Sequence, residues 1–71
     1  MDISVSQLSL LIDEWIFNER DRQILKRRLI DGIKFESLED EFKLSVRRIK
    51  TIVYQGEEQI FKHIDFLKKS Y

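Results

Sequence analysis

The chain has no cysteine and no proline, and only two glycines and one histidine among its 71 residues. Without cysteine there is neither a disulfide framework nor a zinc-finger spacing, and His63 has no second histidine with which to build a metal site. The lack of proline and scarcity of glycine, beside 37% charged residues, exclude a turn-rich strand architecture and describe helices joined by short connections. An excess of one charge sign is missing too: thirteen Lys and Arg balance thirteen Asp and Glu. No Lys or Arg precedes Arg20, and Ser9, Asp13 and Glu14 interrupt the early apolar stretches, a pattern that fits neither a signal peptide nor a transmembrane helix. The expectation is one small all-α domain, cytoplasmic, whose core stabilises it thinly or with help from association.

What is present is helical periodicity. Leu8, Leu11, Ile12, Trp15 and Ile16 repeat at the spacing of one helix face, and Ser4 with Gln7 forms the S-x-x-Q of a capping box, so a first helix is expected over residues 5–17. Leu10 and Phe17 fall off that stripe. Asn18 is a suitable N-cap for a second helix over 19–31, with Glu19 and Asp21 in its first turn, Lys26, Arg27 and Arg28 toward its end, and Ile24, Leu25 and Leu29 facing inward. Gly32 supplies a left-handed residue after it. A third helix over 35–42 carries Phe35, Leu38 and Phe42. The fourth, over 46–68, is capped by Ser45 and keeps Ile49, Ile52, Val53, Gly56, Ile60, Ile64 and Leu67 on one face. Gly56 costs about 1 kcal/mol of helix propensity relative to Ala, so its inward position implies close approach of a neighbouring helix.

The stretch from Phe35 to Val53, FESLEDEFKLSVRRIKTIV, joins two apolar helical patterns through a three-residue break. That is the outline of a helix-turn-helix, a unit whose second helix enters the DNA major groove. The neutral chain is unevenly charged in a way that suits this reading. Residues 46–56 carry a net +3 and residues 18–32 a net +2, against −3 for residues 1–17. At about 100° per residue, Arg47, Thr51, Tyr54 and Glu58 lie opposite Ile49, with Lys50 on one flank and Arg48 and Gln55 on the other. Arginine can fork onto guanine, threonine offers a hydroxyl and a methyl, and lysine and tyrosine suit phosphates. The acidic residues Glu36, Glu39, Asp40, Glu41 and Glu58 work against phosphate approach.

The segment NERDRQILKRRLIDGIKFESLEDEFKLSVRRIKTIV, residues 18–53, resembles region 4 of bacterial sigma-70-type factors over about half the chain. The likeness lies in the N-E-R-D-R-x-I-L opening at Asn18 to Leu25, Gly32 before the third helix, the L-S turn at Leu44 and Ser45, and the R-I-K-x-I run at Arg48 to Ile52. It implies a four-helix domain that binds double-stranded DNA and controls transcription without catalysis or cofactor. Small stand-alone proteins of this kind, encoded by phages and mobile elements of Gram-positive bacteria, fit the length. Carried over by position, the DNA contacts fall on Val46, Arg47, Lys50 and Thr51 after the Ser45 cap, with Arg48 toward the backbone; Tyr54 joins them on the groove wall, and Arg27 or Arg28 adds backbone contacts. Val46 and Arg47 stand where the family often has Arg then Glu after the cap, and two positions of the turn depart as well. Lys43 stands where glycine is usual, and Glu39 where a small residue lets the helices approach, so Glu39 is expected to extend out of the crossing.

A rival reading keeps the fold as a protein-interaction module that binds RNA polymerase, another regulator or a host defence protein. The aromatics bear on it, because a core this small cannot enclose all of Trp15, Phe17, Phe35, Phe42, Phe61, Phe66 and Tyr71. Trp15, Phe35, Phe42 and Phe61 are expected inside; Phe17, Phe66 and Tyr71 are divided between core edge and interface, including a homodimer contact. His63 is read as a boundary residue. The neighbours Asp13 with Glu14 and Glu57 with Glu58 diverge around their helices and form no catalytic pair.

Overall fold

The computed structural model describes the backbone of residues 4–68 and side chains as far as Ile64. Four helices follow in order: α1 (Val5–Trp15), α2 (Glu19–Leu29), α3 (Phe35–Phe42) and α4 (Val46–Lys68). Among the described residues there is no strand. The starts match the capping signals. Ser4 and Gln7 close the reciprocal capping box, and the Asn18 side chain accepts the Asp21 N–H at 3.1 Å, so each helix begins with an otherwise orphaned donor satisfied. The ends fall short of expectation by two residues in α1 and two in α2, where Ile16 turns extended and the chain bends after Ile30. Gly32 then adopts φ +69°, the left-handed backbone its lack of a Cβ permits.

The core is a single apolar cluster gathered around α4. Ile12, Ile24, Leu25, Leu38, Ile49, Val53 and Ile60 are fully buried, and Ile52 and Ile64 nearly so. Leu8, Leu11, Ile16, Leu29, Phe35 and Phe42 pack against them half-buried. No polar or charged side chain is buried among the described residues. Hydrophobic area therefore carries the fold, with α4 packed against all three other helices.

Two aromatics expected inside are elsewhere. Trp15, in the last turn of α1, is 37% exposed and lies flat on His63, ring centroids 3.6 Å apart and 14° from parallel. The pair closes the α1–α4 seam as a lid at its edge, and His63 is a boundary residue as expected. Phe61 is exposed because it stands about 120° around α4 from Ile49, on the outward side. Phe17 and Leu10 are exposed, at 84% and 63%. The expectations for the side chains of Phe66 and Leu67 and for Tyr71 lie outside the described residues.

Gly56 is where α2 and α4 come closest. A Cβ built there would sit 2.5 Å from one terminal methyl of Leu25 and 2.7 Å from the other. Leu25 is fully buried, so making room for a Cβ requires its side chain to shift within the core. Gly56→Ala is therefore expected to destabilise: overpacking costs about 1–3 kcal/mol, against about 1 kcal/mol gained in helix propensity. Urea denaturation measures the balance, and a raised midpoint would contradict the close α2–α4 contact.

Candidate functional site

The connection between α3 and α4 sets the direction in which α4 points. It consists of Lys43, Leu44 and Ser45. Lys43 is left-handed, φ 59° and ψ 37°, the conformation for which glycine is usual and in which a Cβ is strained. Its N–H donates to the Glu39 carbonyl at 2.9 Å, closing α3. The Glu39 carboxylate does not extend away from the crossing; it reaches over the turn and accepts the Val46 N–H at 2.9 Å, capping the first residue of α4. Ser45 Oγ accepts the Arg48 N–H at 3.2 Å. Two of the four donors at the start of α4 are thus satisfied by side chains, and the negative one sits at the positive end of the helix dipole.

Beyond this turn α4 presents the sequence-predicted residues on one side. Ser45, Arg47, Arg48, Lys50, Thr51 and Tyr54 are all exposed, and Val46 is half-buried beneath the Glu39 cap. Thr51 Oγ1 donates to the Arg47 carbonyl at 3.1 Å. On the α3 flank, Phe35 forms a platform. The Arg28 guanidinium lies 4.2 Å above its ring centroid, the Lys50 ammonium 5.5 Å from it, and the Tyr54 ring meets it edge-on at 6.4 Å. Lys50 and Tyr54 therefore lean together toward α3, while Arg47 and Thr51 remain on the crest. Phe35 was read from its spacing as core; its role in orienting Lys50 and Tyr54 comes from a cross-helix contact that periodicity does not encode.

The ion pairs divide the cations into two groups. Arg20 pairs with Asp21, Lys26 with Asp13, and Arg27 with both Asp31 and Glu41. The hydrogen bonds that Arg27 donates to the Glu41 carboxylate, and then the charge of Glu41, raise the Arg27 guanidinium above its ordinary pKa range. Arg27 is thus engaged with α3, and Arg28 is held as well, its guanidinium donating to the Ile33 carbonyl at 3.1 Å as it lies over Phe35. Arg47, Arg48 and Lys50 have no carboxylate partner among the described residues.

On the opposite flank of α4, a groove of about 300 Å³ runs between the α1–α2 corner and α4, lined in part by Trp15, Phe17, Asn18, Gln55 and Gln59. Among the described residues, no group of His, Asp or Glu is placed to hold a metal ion, and no helix is long and apolar enough to cross a membrane. No family model, curated protein or solved structure matches the chain.

The turn makes a prediction of its own. Lys43→Gly is expected to raise stability by about 1 kcal/mol by relieving the left-handed strain, and Glu39→Ala to lower it by about 0.5–2 kcal/mol, the range for a lost cap. Glu39→Gln keeps an acceptor and falls between wild type and Glu39→Ala. Thermal unfolding of the three variants checks the order; a destabilising Lys43→Gly would show that the turn is not held as described.

Proposed function

We propose that the chain is a helix-turn-helix protein, similar to region 4 of sigma-70-type factors, that places the start of α4 in the major groove of double-stranded DNA and regulates transcription without catalysing a reaction. The observation that carries this reading is the unpaired set Arg47, Arg48 and Lys50, standing with Thr51 and Tyr54 on one exposed side of α4 directly after the turn. A neutral chain is a poor phosphate binder only if its charges cancel locally. Here the pairing is concentrated on α2, and the side of α4 that would meet DNA keeps its charge.

In this arrangement Arg47 and Thr51 face base edges. Lys50, steadied over Phe35, and Arg48, on the other flank, hold the two phosphate walls, with Tyr54 alongside Lys50. Ser45 and Val46 bring the helix start toward the backbone. Glu36 and Asp40 on α3 are exposed carboxylates that temper affinity at low salt.

A second reading is favoured by one observation, the 84% exposure of Phe17 in the lining of the groove between the α1–α2 corner and α4. An apolar surface of this kind suits a protein partner, RNA polymerase or a second copy among them, and can coexist with DNA binding on α4.

Fluorescence anisotropy with a labelled duplex of mixed sequence tests the DNA reading. Binding is expected with log K falling against log salt with a slope of about −2, as the two phosphate-holding cations Arg48 and Lys50 give. The Arg47→Ala, Lys50→Ala double variant is expected to weaken it at least about tenfold. No binding at tens of micromolar protein, or no salt dependence, overturns the reading; undiminished binding by the double variant moves the site off α4.

A further inference from the structure

The crest of α4 carries two groups whose chemistry names the bases they suit. Arg47 is exposed and its guanidinium has no hydrogen-bond partner among the described residues, so its fork is free to meet a planar pair of acceptors. In the major groove, guanine presents that pair as O6 and N7. Thr51 is different. Its hydroxyl proton is already committed to the Arg47 carbonyl at 3.1 Å, which leaves no donor for a base; what it still offers is its methyl group and a lone pair. An exposed methyl that follows a committed hydroxyl matches the thymine C5-methyl, the one apolar feature of the groove floor.

The two residues are one helical turn apart, about 6 Å along the axis and about 40° around it. Successive base pairs rise about 3.4 Å, so both reach bases within two steps of each other. Their neighbours do not compete for those positions. Lys50 and Tyr54 lean over Phe35 toward α3, and Arg48 and Gln55 lie on the other flank. We propose that Arg47 and Thr51 are the specificity-determining pair, reading a guanine and a thymine methyl no more than two base pairs apart. This rests on the DNA-binding reading above.

The test is selection of bound duplexes from a randomised pool, followed by titration of the selected duplex with each thymine in turn replaced by deoxyuridine, which deletes only the methyl. Enrichment of a G and a T within two steps is expected. One deoxyuridine replacement should weaken wild type about fourfold, the worth of one buried methyl-sized group, and should leave Thr51→Ser unaffected, because serine keeps the hydroxyl and lacks the methyl. Arg47→Ala should lose about 5- to 100-fold on the selected duplex and cease to distinguish the guanine. Binding without a G–T enrichment, or equal affinity for thymine and deoxyuridine, overturns the inference while leaving DNA binding intact. Failure of wild type to bind any duplex overturns both.

Discussion

Glu39 holds both sides of the α3–α4 turn, and with the apolar core it fixes where the exposed start of α4 begins. Its carbonyl accepts the Lys43 N–H and its carboxylate the Val46 N–H, each at 2.9 Å. One residue therefore closes the helix behind the turn and opens the helix ahead of it. The left-handed Lys43 between them is unfavourable alone; the capping bond on its far side offsets part of that cost. With the turn held, Leu38, Ile49, Ile52 and Val53 join the buried cluster, and the opposite side of α4 is left outward. The two residues thus act together: the Glu39 carboxylate supplies a cap, and Lys43 accepts the left-handed strain.

Charge pairing then gives that outward side its character. The same number of cations and anions could have produced a uniformly neutralised surface. Instead the carboxylates of α1, α2 and α3 engage Arg20, Lys26 and Arg27, in bridges that join α1 to α2 and α2 to α3. Exposed bridges of this kind contribute little to stability. Among the described cations left without a carboxylate partner, Arg47, Arg48 and Lys50 gather at the start of α4. Phe35 adds a further constraint, because a ring flanked by Arg28, Lys50 and Tyr54 draws those three side chains to one rim and leaves Arg47 and Thr51 on the crest.

Much of the four-helix layout was legible in the residues. The capping box at Ser4, the Asn18 cap, Gly32 and the Ser45 cap are local signals, acting within three or four residues, and the helix starts follow them. Inward residues of α2 and α4 were readable because those stripes run the length of their helices; Gly56 was readable because a glycine in such a stripe is costly without a close neighbour. What stayed hidden depends on contacts between elements. Trp15 satisfies the α1 periodicity but occupies its last turn, at the edge of the α1–α4 seam, where His63 of α4 offers a flat partner. Glu39 reaches Val46 seven residues on and across a turn, outside any capping motif. Arg27 looked available until α3 brought Glu41 to it. For the candidate site, exposure of the α4 residues was readable from angle alone, whereas their sorting into crest and rim required the position of Phe35.

We propose that the start of α4, held by Glu39, is the surface that meets DNA. Amide chemical-shift mapping of the labelled protein during titration with duplex DNA tests it most directly. The prediction is that the amides from Ser45 to Tyr54, together with Phe35 and Arg28, shift as the duplex is added, while those of Phe17, Asn18 and Gln59 around the far groove do not. Shifts confined to the groove residues, or none at all, would contradict it.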